Sequence, residues 1–244
     1  LGKIQLHRSG TTQDLHRHFH DELRHVKVRL LTMSGEAEAA LALAVEALLE
    51  RDATKAHRVI AGDRGIDALE IEIEEKCIEL LGLQQPMARD LRMLTAALKI
   101  ANDLERVGDH AVNIAQSAER LTESRPIAPE PELIEMARLA REMLADALEA
   151  FVRSDAAAAR DVCRRDDQVD GLHRSVFRIL LTHMMEDAHM IGAGMELFLV
   201  SRNLERVADL ATNISEDVVF LVEGKSIKHH AEDGGEAPKE RSAK

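Results

Sequence analysis

Neither Trp nor Tyr occurs among the 244 residues, and Phe occurs only five times, so the chain lacks the aromatic faces on which a base-stacking platform is built. Basic residues are also in deficit: 32 Lys and Arg against 44 Asp and Glu leave a net charge of −12 with His neutral. A phosphate backbone is gripped through an excess of Lys and Arg, so nucleic acid is excluded as a partner, and a cation or a protein is expected instead. The two cysteines, Cys77 and Cys163, stand 86 positions apart in helix-like sequence. That spacing fits neither a CxxC metal knuckle nor a dense disulfide framework, and both read as buried free thiols of a reducing cytosol. No apolar run approaches the ~20 residues of a membrane span, and the N-terminal stretch lacks the layout of a signal peptide. A soluble cytoplasmic protein is expected.

What is present is Ala, Leu, Glu and Arg in abundance, apolar at spacings of three and four, the pattern of amphipathic helices, with no segment reading as a strand. Breaks are expected at Gly82 to Pro86, at Pro126 to Pro131 and around Gly192 to Gly194, with weaker ones where Asp52 and Asp155 precede Ala-rich starts and suit an N-cap. Six helices follow, over 14–50, 53–81, 87–122, 132–153, 156–185 and 189–222. Residues 1–13, which start on Leu rather than Met, read as a disordered or vector-derived lead, and 225–244 as a disordered polar tail.

The central prolines prompt a search for an internal repeat, and one is found. Residues 103–115 (DLERVGDHAVNIA) and 203–215 (NLERVADLATNIS) agree at eight of thirteen positions, at an offset of 100. Upstream, 63–69 (DRGIDAL) matches 166–172 (DDQVDGL) at an offset of 103, as Asp52 matches Asp155. The expected fold is therefore all-α, two tandem three-helix bundles from a duplication, the first over 14–124 and the second over 125–224.

Each half carries acidic residues four apart: Asp63 with Asp67, Glu105 with Asp109, Asp166 with Asp170, and Glu205 with Asp209. Positions i and i+4 share a helix face, so each pair aims two like charges one way, and Asn113 and Asn213 extend two of these stripes by a turn. Residues level on antiparallel helices have numbers with a constant mean. Asp63 with Asp109 and Asp67 with Glu105 both average 86, which is Pro86 in the expected turn, and the second-half pairs average 187.5. Each half thus predicts four carboxylates across one helix seam, self-repelling when empty and suited to cations that prefer oxygen ligands. A solvated face with Arg partners such as Arg106 and Arg206 is the competing reading of the same residues.

The histidines add little. His16, His18 and His20 alternate and so spread around a helix; His110 has Leu210 at its repeat position; His173, three residues after Asp170, is a candidate nitrogen ligand of the second set. The carboxylate set itself lacks the Glu-x-x-His pairs of the di-iron oxidases, which disfavours a redox diiron centre. Met184, Met185, Met190 and Met195 read as packing. With no Gly-rich phosphate loop, GxSxG elbow or placed catalytic set, no catalytic residue is assigned and the protein is not expected to be an enzyme.

The duplicated LERVGDHAVNIA and LERVADLATNIS, FHDEL at Phe19 to Leu23, QPMARDLR at Gln85 to Arg92 and FLVEGK at Phe220 to Lys225 together resemble the PhoU family of phosphate-signalling regulators, over residues 19 to 225. That resemblance implies two similar three-helix bundles and E/DxxxD motifs binding divalent or trivalent metal ions, in multinuclear clusters in some members. It does not fix the metal among Fe, Zn, Mn and Mg. Carried over by position, the metal residues are Asp63, Asp67, Glu105, Asp109, Asp166, Asp170, Glu205 and Asp209. It further implies a homodimer that is cytoplasmic or held at the inner membrane through its partners. These are the cytoplasmic subunits of the phosphate ABC transporter and the phosphate-regulon sensor histidine kinase, which it restrains when phosphate is plentiful. The alternatives are a metal-dependent phosphohydrolase and a metal-storage bundle built on the same carboxylates.

Overall fold

The computed structural model describes residues 12–83, 86–124 and 129–227, all helix and connection without a strand among them. Helices α1 (Thr12–Glu50), α2 (Ala53–Leu83) and α3 (Ala88–Thr122) form the first half. The second half comprises α4 (Pro131–Arg153), α5 (Ala156–Cys163), α6 (Asp166–Glu186) and α7 (Ile191–Glu223), with a 3₁₀ turn at Ala188–Met190. Within each half the helices pack on one another, and the halves meet mainly where α3 lies against α7, with a smaller contact of α1 with α4.

The width of each buried stripe follows from this arrangement. Helix α2 buries a single face, Ala56, Val59, Ile66, Leu69, Ile73, Cys77 and Leu80, as expected of an outer helix. Helix α3, packed on α1, α2 and α7, buries almost two faces, including Leu94, Ile100, Leu104, Val107 and Ile114. Full burial of each such Leu or Ile stabilises by roughly 1.5–3 kcal/mol, which lets long helices with few aromatics hold together.

The duplication is visible in the backbone. Helix α1 ends with Arg51 in the left-handed region at φ 54°, and α4 ends with Ser154 at φ 54°, 103 positions later. In both, the next N–H closes back on the helix, Asp52 on the Ala47 carbonyl at 3.0 Å and Asp155 on that of Ala150 at 2.9 Å. The same two aspartates then cap the following helix: Asp52 accepts from the Thr54 N–H at 2.8 Å, and Asp155 from the Ala157 and Ala158 N–H groups at 3.0 Å. The side chain of Arg51 also donates to the Ser124 carbonyl at 2.8 Å, tying this turn to the end of α3.

Two expectations need correction. The fifth helix, expected unbroken over 156–185, is divided at Arg164 and Arg165. There the hydrogen bonds tighten to three-residue spacing, Arg165 N–H to the Val162 carbonyl at 2.9 Å and Gln168 N–H to that of Arg165 at 3.0 Å, while the Arg165 guanidinium reaches Asp146 on α4 at 2.5 Å. The break expected around Gly192 to Gly194 falls earlier, at Asp187 to Met190, where the Asp187 carboxylate accepts from the His189 N–H at 2.9 Å. Both glycines lie inside α7. Gly194 marks a close approach: a Cβ there would sit 2.9 Å from the Met184 Cγ. Helix α1 begins at Thr12, two residues inside the stretch read as a lead, whereas 1–11 and 228–244 lie outside the described residues. Cys77 is buried, Cys163 half-buried, and both are free, with burial pushing each thiol up to about 11.

Candidate metal centre

In the first half, α2 and α3 run antiparallel and bring Asp63, Asp67, Glu105 and Asp109 into one electrostatic group. The Glu105 carboxyl is pushed up to about 7, first by burial and then by the charges of Asp109, Glu70, Asp67 and Asp63. Asp63 is raised by burial and by Asp67 and Asp109. Glu70 is a fifth member that the pair spacing does not single out, raised by burial and then by Glu74, Asp67 and Asp109. Its signal was the i+3 step from Asp67. Gly108 lets the helices close, since a Cβ there would stand 3.1 Å from the Ile66 Cδ1 and 3.2 Å from an Asp63 carboxylate oxygen. Among the described residues no Lys or Arg forms an ion pair with any of these five carboxyls.

The second half repeats the grouping with a different balance of charge. Asp166 is raised to about 6, by burial and then by Asp209, Asp170 and Asp167, while Thr212 Oγ1 donates weakly to it at 3.5 Å. Glu205 and Asp209 are both raised by burial. Here cations intervene: Arg206 lies 2.9 Å from Asp209 and 3.4 Å from Glu205, and Arg174 lies 3.7 Å from Asp170. A hollow of about 310 Å³ beside the cluster is lined by Asp166, Asp209, Thr212, Asn213, Arg206 and, from the first half, Arg106. Arg106 therefore faces the second cluster as well as Asp103 on its own helix, 3.6 Å away.

Of the flanking candidates, Asn213 lines that hollow and Asn113 stays exposed on α3. His173 is engaged: its Nδ1 is 3.1 Å from the Ser201 hydroxyl, its ring stacks on Phe198 at 5.6 Å, and burial lowers its pKa. His110 Nδ1 meets the Asn203 amide oxygen at 2.9 Å across the α3–α7 contact. His18 and His20 are exposed, and the side chain of His16 lies outside the described residues. Among the described residues no three His, Cys, Asp or Glu side chains converge closely enough to enclose one ion. The fit to a metal is thus one of donor chemistry: clustered carboxylate oxygens, of which Asp63, Glu105, Asp166, Glu205 and Asp209 are raised first by burial and then by neighbouring carboxylates, a set suited to a hard cation.

The profile described as the PhoU domain matches the chain twice, over residues 30–118 and 133–218. The chain belongs to the PhoU family. A phosphate-specific transport system accessory protein PhoU homolog of Caulobacter vibrioides is 43% identical over 208 residues, 85% of this chain and 90% of that one. The homolog of Aquifex aeolicus is 39% identical over 216 residues, 88% of this chain and 98% of its own. Among solved structures, PhoU from Pseudomonas aeruginosa superposes with a TM-score of 0.82 at 37% identity, covering 85% of this chain and all of the other. The phosphate transport system regulatory protein PhoU from Streptococcus pneumoniae gives 0.79 at 31%, covering 85% and 98%. PhoU relatives carry the names of accessory or regulatory proteins, not of enzymes. No described helix is long and apolar enough to cross a membrane.

Proposed function

We propose that this PhoU-family chain regulates phosphate uptake and the phosphate-starvation response. It is a homodimeric, metal-binding adaptor between the cytoplasmic subunits of the phosphate ABC transporter and the phosphate-regulon sensor kinase, and it silences the kinase when phosphate is plentiful. The observation that carries the transport role is family membership over most of the chain, with relatives named for phosphate-specific transport. The metal-binding part is supported by the first carboxyl cluster, where Asp63, Glu70 and Glu105 are raised by burial and then by the neighbouring carboxylates, with no cationic side chain among the described residues in ion-pair contact. Asp63, Asp67, Glu105 and Asp109 would hold one centre and Asp166, Asp170, Glu205 and Asp209 the other, with Asn113, Asn213 and His173 at their margins. A bound divalent or trivalent cation supplies the charge that lets each set ionise together and pins α2 to α3, or α6 to α7. Long helices with exposed faces on both bundles suit a protein that meets two partners.

The test is a phosphate-starvation reporter in cells lacking the protein, grown in high phosphate and complemented with the wild type or with Glu105→Gln/Asp109→Asn/Glu205→Gln/Asp209→Asn. The deletion should express the reporter constitutively and the wild type should restore silence. The substituted protein should bind less metal by elemental analysis and fail to restore it. A reporter that stays silent in the deletion refutes the regulatory role, and a substituted protein that restores silence without metal removes the metal from the mechanism.

A further inference from the structure

A hollow of about 370 Å³ opens where the start of α3 meets the ends of α4 and α7, with α1 as its fourth wall. Its floor is apolar, formed by the buried Leu23, Met93 and Phe151, while Leu31, Val152 and Val222 are exposed at its rim. Lys27, Arg89 and Arg92 line it together with one carboxylate, Asp90, and with Ser154. Three cations against one carboxylate reverse the balance of the whole chain, whose net charge is −12. Among the described residues neither Lys27 nor Arg89 is in an ion pair. Arg92 donates its Nε–H to the Leu221 carbonyl at 3.3 Å and lies against Gly224, where a Cβ would stand 3.6 Å from its Nη1.

Two observations single this hollow out. The stretches Phe19 to Leu23, Gln85 to Arg92 and Phe220 to Lys225 contribute nothing to the carboxylate clusters and are distant in the chain. They meet here, through Leu23, through Arg89, Asp90 and Arg92, and through Leu221 and Val222. The duplication supplies the second observation. Ser154 matches Arg51, and at that other corner the Arg51 guanidinium crosses to the end of α3, donating to the Leu121 carbonyl and to that of Ser124 at 2.8 Å. Ser154 is too short to cross, and the Leu221 carbonyl, which matches that of Leu121, is met from the other half by Arg92. The residues matching Arg89, Asp90 and Arg92 are His189, Met190 and Gly192, so the polar set also belongs to one corner alone.

We propose that this corner is a binding site for a nucleoside phosphate. The phosphate pairs with Lys27, Arg89 and the remaining N–H groups of Arg92, Asp90 and Ser154 take the ribose hydroxyls, and the uncharged base lies on Leu23, Met93 and Phe151. The volume falls at the lower end of the ~300–1,000 Å³ of small-molecule sites, and the mixture of an apolar wall with a few convergent polar groups is theirs too. Inorganic phosphate would use the cations but leave the apolar wall wet and most of the space unfilled. An acyl chain would cover that wall but leave Asp90 and Ser154 without partners, which is costly in a partly buried site. A nucleoside phosphate answers all three parts of the lining. One base needs one apolar wall, not the row of aromatic faces on which a nucleic-acid strand stacks. None of the lining residues belongs to either carboxylate cluster, so the inference goes beyond the metal and transport reading and does not rest on it.

The test is isothermal titration calorimetry of the full chain with AMP, ADP and ATP, and with inorganic phosphate and decanoate as rivals. A chelator is present throughout, so that metal at the carboxylate clusters recruits no phosphate. At least one nucleotide should bind at micromolar concentration, and Lys27→Gln/Arg89→Gln should weaken it roughly 10- to 100-fold through the loss of charge-assisted contacts. Ser154→Arg gives this corner the side chain that Arg51 already carries in the same backbone conformation, and it should abolish binding with unchanged helical circular dichroism. Arg58→Gln/Arg178→Gln, which removes two exposed cations from other faces, should leave binding as it was. Three results overturn the proposal: no nucleotide binds, inorganic phosphate or decanoate binds as tightly as the nucleotides, or nucleotide binding survives both Lys27→Gln/Arg89→Gln and Ser154→Arg. None of them bears on the starvation reporter, so failure here is distinct from failure of the regulatory role.

Discussion

Replacing Glu105 by Gln should stabilise the metal-free protein, and only above mildly acidic pH. Its carboxyl rises from 4.5 to about 7 on folding, chiefly through burial and then through Asp109, Glu70, Asp67 and Asp63. Between those values the native state holds a proton that the unfolded chain has released, so stability falls as pH rises from 4.5 to 7 and is level above. At ~1.36 kcal/mol per pH unit the full shift corresponds to about 3 kcal/mol, and screening at a carboxyl that still touches water reduces this to roughly 1–2 kcal/mol. The amide keeps the shape and removes the charge, which also relieves Asp63 and Glu70. In the presence of a chelator near pH 8, the Glu105→Gln protein should melt roughly 2–8 °C above the wild type, at about 2–4 °C per kcal/mol for a chain of this size. Near pH 4.5 the two should melt together. Added metal should reverse the order at pH 8, because the wild type alone keeps a full ligand set. A variant that melts with or below the wild type in chelator at both pH values would show that the cluster is relaxed by solvent and would refute the argument from crowded charge.

Three other substitutions probe the same structure. Arg206→Met removes the cation paired with Asp209 and Glu205. Since that side chain is about half exposed, the loss in chelated protein should stay under ~1 kcal/mol, seen as a melt lowered by a few degrees near pH 8 and by progressively less as acid protonates the raised Glu205 and Asp209 carboxyls. Leu104→Ala, at a fully buried position in α3, should cost about 3–4 kcal/mol and lower the melting temperature by roughly 10 °C, measured by calorimetry. Asp155→Ala deletes both cap bonds of the eight-residue α5 and should cost ~1 kcal/mol, while Asp155→Asn should retain most of it, as denaturant melts would record.

The helices, their turns and the duplication are written locally, in apolar spacing, in aspartate caps and in two copies of one motif, and so they are legible in the sequence. Asp52 and Asp155 illustrate this, since each aspartate acts within three residues of itself. What was hidden depends on partners distant in the chain. The division at Arg164 and Arg165 leaves the apolar period intact and is read only once Asp146 is seen to face Arg165. Gly194 imitates a helix breaker until Met184 is found against its Cα side. The carboxylate pairs and their level come from numbering alone. Glu70, at the position matching His173, stands three residues from Asp67, and only the α2–α3 seam shows that it belongs to the group. The unequal charge of the two clusters could not be read either, because Arg106 and Arg206 occupy matching positions and differ only in what lies opposite.

That inequality has its origin in the α3–α7 contact, which joins two copies of one unit without making their surroundings identical. Across it His110 meets Asn203, Arg106 reaches the hollow of the second cluster, and Lys99 Nζ stands 3.2 Å from the buried Asp217 and 5.7 Å from the centre of the Phe220 ring. At the positions matching Asp217 and Phe220 the first half has Ser117 and Arg120, and Arg120 instead pairs with Glu196 at 2.8 Å. The two ends of the seam therefore carry different charge pairs. Among the described residues the first cluster has no cation in ion-pair contact, while the second has Arg206 beside it and Arg106 near it. Under the metal binding proposed above, a cation at the first cluster would meet carboxyls without an arginine partner, whereas one at the second would have to displace or share the arginines. Since Arg106 sits on the helix that carries Glu105 and Asp109 and lines the hollow beside Asp166 and Asp209, any shift of α3 at the first cluster would move a charge at the second, and under the proposed metal binding this seam would couple the two clusters.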